Sequence, residues 1–184
     1  MIQENISLKP YNTFGVDVSA RYFAEVNSVE DLKETLKISN SQTPQLFLGG
    51  GSNLLLTKDY DGLVIRLNLK GITEEIINEN EILVTAKSGE NWHQFVMFCL
   101  EKNYGGLENL SLIPGNVATS PMQNIGAYGT EIKDVFESCK VLNLETLELE
   151  ILNSEQCRFG YRDSIFKQEG RGKFVILEVV LLKE

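Results

Sequence analysis

The chain has 184 residues, is 42% hydrophobic, and carries 17 Lys and Arg against 26 Asp and Glu, a formal charge of −9. That length and apolar content support a buried core and exclude wholesale disorder, leaving one domain or two small lobes. The acidic balance excludes a general nucleic-acid or anionic-membrane surface, because neutralising phosphates takes clustered Lys and Arg, so an anionic ligand has to be met by local donors.

The opening residues MIQENISLKPYNTFG have neither the basic nor the apolar region of a signal peptide, and none is expected. In SVEDLKETLKISN, residues 28–40, Ser28 with Asp31 three positions on marks a helix start, and Val29, Leu32, Leu36 and Lys37 follow the spacing of a surface helix. QLFL at 45–48 and LVIRL at 63–67 read as strands, the second after a turn at Asp61-Gly62. The polar stretch KGITEEIINENE, starting at residue 70, is the expected boundary between two lobes, 1–70 and 71–184. ILVTAK at 82–87 is a further strand. From Asn91 a helix places Trp92, Phe95, Val96, Cys99 and Leu100 on one face, and Gly105-Gly106 is expected to stop it. VFESCKVLNLETLELEIL reads as two strands around a turn at Asn143 to Thr146, and KFVILEVVLL as the last strand. Strands and helices mixed, then mostly strands, make an α+β protein.

Cys99, Cys139 and Cys157 are far apart and odd in number, which suggests neither a disulfide framework nor a thiolate metal site and fits a reducing cytosol. His93 is the only histidine and lacks a visible ligand set or catalytic partner, so no metal is assigned and the residue reads as part of a helix's first turn.

Three stretches are candidates for chemistry. LFLGGGSN runs a strand into Gly49, Gly50 and Gly51, followed by Ser52 and Asn53. Three glycines allow backbone N–H groups to converge as an anion-binding nest with the hydroxyl and amide beside them, although a plain strand-to-loop turn has the same composition. It has neither the Lys of a Walker A loop nor GxGxxG spacing. Residues 109–130, NLSLIPGNVATSPMQNIGAYGT, contain no charged side chain although charged residues make up 23% of the chain. Pro114, Gly115, Pro121, Gly126 and Gly129 exclude a membrane span or a single core helix, since Pro and Gly inside a helix cost about 3 and about 1 kcal/mol. A ligand wall or a buried structural loop remains, with Gly115, Ser120, Asn124, Gly126 and Gly129 as possible contacts. In CRFGYRDSIFK, residues 157–167, Arg162 suits a bidentate grip on a carboxylate or phosphate, and a structural ion pair with Asp163 or a Glu is the competing reading.

Taken in order, NTFG at 12–15, LGGGSN at 48–53, GENWH at 89–93, GLENLSLIPG at 106–115, SPMQNIGAYG at 120–129 and CRFGYRDSIFK at 157–167 resemble the UDP-N-acetylenolpyruvoylglucosamine reductases, flavoenzymes of peptidoglycan precursor synthesis. The resemblance spans nearly the whole chain. It implies a two-lobed α+β FAD-binding domain of the vanillyl-alcohol-oxidase type. Gly49, Gly50, Gly51, Ser52 and Asn53 would cradle the pyrophosphate, and the run from Pro114 to Gly129 would line the flavin and its phosphates. In the family, NADPH is the hydride donor, the flavin carries the hydride to the enolpyruvyl β-carbon of UDP-N-acetylglucosamine enolpyruvate, and a proton completes the lactyl ether of UDP-N-acetylmuramate. Charge that spreads into the substrate carboxylate needs electrostatic stabilisation. The resemblance gives that role to Arg162, with Tyr161 as a substrate contact beside it. The family's serine proton donor and the glutamate that works with the Arg lie in a later substrate domain that this chain does not include, so the chain is expected to bind FAD and to turn over poorly alone. A non-catalytic flavin-binding module and a flavin oxidase of the same superfamily are the other readings. No protein partner, nucleic acid or membrane is implied.

Overall fold

The computed structural model describes residues 1–39 and 42–183, so Asn40, the last residue of the stretch read as a surface helix, lies outside the described residues. The chain divides into two compact units, Met1–Leu69 and Lys70–Glu184.

The first unit contains β1 (Gln3–Ser7), β2 (Ser19–Val26), helix α1 (Val29–Ile38), β3 (Gln45–Leu48) and β4 (Tyr60–Leu67). The sheet order is β1-β2-β4-β3, with β1 antiparallel to β2 and β4 parallel to both its neighbours. Phe23, Val64 and Leu46 stand in register across three strands, and Phe23 and Val64 join Leu8, Ala20, Leu48 and Leu56 in one core. Ser28 caps α1 as its sequence suggests, its hydroxyl accepting the Asp31 N–H at 3.0 Å, and Leu32 and Thr35 are the buried residues of the helix.

β4 begins three residues earlier than the sequence implies, and Asp61-Gly62 is strand rather than turn. The cause is a close backbone crossing. A Cβ on Gly62 would stand 2.4 Å from the Pro44 carbonyl, the oxygen that accepts the Leu63 N–H at 2.8 Å. Strands β1 and β2 carry weaker local signals and were not anticipated.

The second unit contains β5 (Ile72–Ile76), β6 (Ile82–Lys87), helix α2 (Trp92–Glu101), two short strands β7 (Gly126–Ala127) and β8 (Thr130–Glu131), β9 (Phe136–Asn143), β10 (Leu149–Asn153), a helical turn α3 (Ser154–Cys157) and β11 (Phe174–Lys183). Its main sheet is antiparallel throughout, in the order β10-β9-β11-β6-β5. The polar stretch after residue 70 therefore contains an edge strand, β5, whose side chains are mostly exposed. Trp92, Phe95, Val96 and Cys99 of α2 pack into the core with Val84 and Ala86 of β6, Cys139 and Val141 of β9, and Val179 and Leu181 of β11.

Helix α2 starts where expected, with the Asn91 side chain accepting the Gln94 N–H at 3.0 Å. It stops before Gly105-Gly106. Asn103, at φ +61°, takes the left-handed position, with its N–H on the Leu100 carbonyl and the Tyr104 N–H on the Cys99 carbonyl, both at 2.9 Å. That is the Schellman arrangement, which Asn can supply in place of Gly. The β9–β10 turn matches its sequence, closed by the Asn143 N–H on the Glu148 carbonyl at 2.9 Å. In β11 the pairing with β9 shifts register between Ile176 and Glu178 and again between Val180 and Leu181, and across the first shift the residues in the core shared with α2 change parity, from Ile176 to Val179 and Leu181.

Two cysteines that are distant in sequence meet. The Cys139 and Cys157 sulfurs lie 4.0 Å apart as buried free thiols, and that hydrogen-bonded contact, with burial, pushes the Cys139 thiol up.

Lys183 ends β11 on the buried face. It is 1% exposed, its ammonium has no hydrogen-bond partner among the described residues, and burial pushes it down to about 8. Because that value lies below the ordinary 10.5, the folded chain binds fewer protons than the unfolded chain between those two pH values, so stability rises with pH across that window. Replacing Lys183 with Met is expected to stabilise the second unit by about 2 kcal/mol at neutral pH, since a buried, unpaired charge is removed. The advantage should shrink between pH 8 and 10.5. Denaturant unfolding of both proteins at the two ends of the window checks this.

Candidate functional site

In the first unit the glycine loop leaves the end of β3 and crosses the NTFG segment. Gly51 has φ +64°, and a Cβ there would stand 2.0 Å from the Tyr11 carbonyl oxygen and 3.0 Å from the Asn12 Cα. The Thr13 N–H reaches the Gly51 carbonyl at 3.1 Å. Asn12 is buried and fixes its own segment. Its Nδ2 donates to the Leu8 and Val16 carbonyls at 2.8 and 3.0 Å, and its Oδ1 accepts the Val16 N–H at 2.9 Å. Gly51 is thus a close-packing glycine, whereas Gly50 and Asn53 are exposed and Gly49 and Ser52 are half-buried. From Gln45 to Thr57 there is no charged side chain, so the loop offers neutral donors.

In the second unit the uncharged run wraps the start of α2. The Trp92 indole N–H donates to the Leu110 carbonyl at 2.8 Å, its backbone N–H to the Gly115 carbonyl at 3.0 Å, and the Val117 N–H reaches the Glu90 carbonyl at 2.9 Å. Gly115, at φ +126°, lies in backbone that favours glycine. His93 sits in the first turn of α2, with Nδ1 3.1 Å from the Ser111 hydroxyl and 3.3 Å from the Leu112 N–H.

The far end of the run meets the Arg162 segment. Tyr161 and Arg162 form a tight turn closed by the Gly160 N–H on the Asp163 carbonyl at 3.0 Å and the Asp163 N–H on the Gly160 carbonyl at 3.2 Å, with Arg162 at φ +53°. The guanidinium donates to the Asn124 carbonyl at 3.3 Å and to the Gly126 carbonyl. Asp163 is engaged elsewhere, accepting the Ser164 N–H and the Gln168 amide, so the competing reading of an Arg162–Asp163 ion pair gives way to carbonyl seats. Gly126 is a glycine for this reason. A Cβ there would meet Arg162 Nη1 at 2.9 Å and the Thr130 carbonyl at 2.8 Å. Tyr161 is 86% exposed, with its ring centre 5.7 Å from the Arg162 guanidinium carbon.

The other residues singled out in the run differ in what they present. The Ser120 hydroxyl donates to the Val117 carbonyl at 2.6 Å, and Asn124 is wholly buried, with both ends of its amide bonded inside the protein. Either residue can meet a ligand only through backbone in this arrangement. Pro114 and Gly129 are exposed, and open space lies where a Gly129 Cβ would stand. Glu131 and Lys133, just past the uncharged run, were not anticipated. Their ion pair is 2.7 Å long, and the Lys133 hydrogen bond holds the Glu131 carboxyl below its usual range, with the Asn124 amide and the Arg162 charge adding to the effect. No helix among the described residues is long and apolar enough to cross a membrane.

Residues 20–147 match the family described as "FAD binding domain". This chain belongs to that family. The chain is close in sequence to the UDP-N-acetylenolpyruvoylglucosamine reductase of Flavobacterium johnsoniae, 54% identical over 181 residues, covering 97% of this chain and 53% of that protein. It is 48% identical to the reductase of that name from Amoebophilus asiaticus, covering 98% of this chain and 53% of the relative. The chain therefore spans about half the length of the curated relatives it matches, and the resemblance carried by the six motifs extends over nearly all of it. Among solved structures, the Thermus caldophilus reductase of this name superposes with a TM-score of 0.79 at 28% identity, covering 100% of this chain and 64% of that one. A solvent-stable cholesterol oxidase, at 14% identity and TM-score 0.64 over 94% of this chain and 36% of its own, shares the fold. The expected α+β flavin-binding fold of the vanillyl-alcohol-oxidase type is the fold found, and its cofactor is FAD.

The residues present fit that cofactor. A pyrophosphate can be met by the amides and small polar side chains of Gly49–Asn53, a loop without a carboxylate to repel it, and the second unit offers an uncharged, glycine-containing edge at Gly126 and Gly129.

Proposed function

We propose that this chain is the FAD-binding part of an NADPH-dependent reductase that converts UDP-N-acetylglucosamine enolpyruvate to UDP-N-acetylmuramate in peptidoglycan precursor synthesis. The relatives carry the name of that reaction, and the observation in this chain that best supports the reading is the seating of Arg162. An arginine fixed through two backbone carbonyls keeps its charge and its remaining N–H donors for a carboxylate, since among the described residues no acidic side chain forms an ion pair with it. Arg162 would hold the enolpyruvyl carboxylate as charge develops on it, and exposed Tyr161 would contact the substrate beside it. Gly49, Gly50, Gly51, Ser52 and Asn53 would hold the pyrophosphate through neutral donors. Pro114, Gly115, Ser120, Asn124, Gly126 and Gly129 would line the flavin, Ser120 and Asn124 through their backbone. The bound flavin supplies hydride transfer in both directions. A chain half as long as its relatives is expected to bind the cofactor and turn over poorly alone.

The test is a visible spectrum. After incubation with FAD and desalting, the purified chain should retain oxidised-flavin bands near about 370 and about 450 nm. Loss of all flavin on desalting would sink the cofactor role assigned to these residues. Normal NADPH-dependent turnover of the enolpyruvyl substrate by this chain alone would overturn the expected inactivity.

A further inference from the structure

We propose that Asn124 is the positioning residue for Arg162, acting on both ends of that residue at once. The proposal rests on the reading of Arg162 as the group that holds the substrate carboxylate. Asn124 is 0% exposed, so its amide is not a surface contact for a ligand. Its Nδ2 donates to the Gly160 carbonyl at 2.9 Å, and Gly160 is the residue whose paired hydrogen bonds with Asp163 close the turn carrying Tyr161 and Arg162. Its Oδ1 accepts the Lys133 N–H at 3.2 Å, which ties the amide to the segment just after β8. Its own backbone carbonyl accepts Arg162 Nη1 at 3.3 Å. One residue thus fixes the base of the arginine's turn with its side chain and the arginine's tip with its main chain.

The backbone makes asparagine the suitable type. Asn124 sits at φ +43°, a left-handed conformation that asparagine adopts more readily than other side chains with a Cβ. Arg162 is itself left-handed, a conformation that persists only where surrounding contacts impose it. The Asn124–Gly160 bond is one such contact. The Ser164 hydroxyl, donating to the Met122 carbonyl at 2.6 Å, anchors the same segment to the same run without itself bonding to Gly160 or Arg162.

That difference supplies the control. The full chain, labelled with nitrogen-15 and free of ligand, is followed through the Arg162 Nε–Hε signal, which is assigned by its disappearance in Arg162→Lys. Asn124→Asp keeps the size and the acceptor for Lys133 and removes the donor to Gly160, and Asn124→Gly removes the amide without backbone strain. Both are expected to speed hydrogen exchange at Arg162 Nε by at least about tenfold and to move the signal toward that of a free arginine, whereas Ser164→Ala leaves it in place. If the folded Asn124 variants keep the wild-type signal and exchange, or if Ser164→Ala moves them equally, Asn124 is a structural residue only and the proposal fails. Reduced flavin retention in Asn124→Asp with an unchanged Arg162 signal overturns it in favour of a direct cofactor contact. Since the readout needs no flavin, failure of the wild-type chain to bind FAD would sink the functional reading and leave this result standing.

Discussion

Gly51→Ala is expected to destabilise the first unit by at least about 4 kcal/mol and to abolish FAD retention, a loss of the size seen when a substitution forces backbone apart. The alanine Cβ would stand 2.0 Å from the Tyr11 carbonyl oxygen. No rotamer can relieve the overlap, because a Cβ is fixed by its own backbone and the oxygen it meets is main chain, and the Asn12 side-chain bonds to Leu8 and Val16 hold the opposing segment in place. Gly15 provides the comparison. It has the same φ of +64° with open space at the Cβ position, so Gly15→Ala carries the left-handed penalty alone, about 1–2 kcal/mol. Chemical denaturation of both variants isolates the clash as the difference between them. Equal stabilities would show that the crossing of residues 11–13 and 49–53 is loose in solution.

Trp92→Ala is expected to destabilise the second unit by about 3–5 kcal/mol through the cavity left by the largest side chain of its core. The side chain is 1% exposed, and its indole N–H is bonded to the Leu110 carbonyl inside the uncharged run. Trp92→Phe separates the two contributions, keeping most of the volume while leaving that carbonyl without its donor, at about 1–3 kcal/mol. Flavin retention should fall in both variants, because the run is held to α2 partly by this bond. Urea unfolding with a flavin spectrum on each sample checks both statements, and a Phe variant as unstable as the Ala variant would place the whole effect in the hydrogen bond.

What could be read from the sequence depended on how local its cause was. Ser28 and Asn91 cap their helices through neighbours three residues away, and the β9–β10 turn closes within a few residues, so composition and spacing were enough. Gly62 and Asn103 misled because one is a glycine for a backbone crossing at Pro44 and the other is an asparagine doing a glycine's work. At the site, the resemblance named Arg162, but the local reading left an ion pair with Asp163 open. The seats that replace it, at Asn124 and Gly126, lie 38 and 36 residues away in the chain, and no periodicity reports a contact of that span. For the same reason Cys139 and Cys157 read as unrelated, although their sulfurs touch.

The register shift in β11 has a bearing on which length changes the chain can absorb. From Glu178 to Val180 the pairing with β9 runs one step off from its beginning, a second shift before Leu181 restores it, and the extra residue at the first shift is what puts Val179 and Leu181 on the same buried face as Ile176. Deleting Leu177, the extra residue, would restore regular alternation with Ile176, Val179 and Leu181 still on one face, whereas deleting Val180 would turn Leu181 outward, and a deletion in the β9–β10 turn would leave the pairing of β11 untouched. An alignment that slides a gap along this strand to gain identities would therefore reverse its inside and outside, and the offset fixes where such a gap can stand.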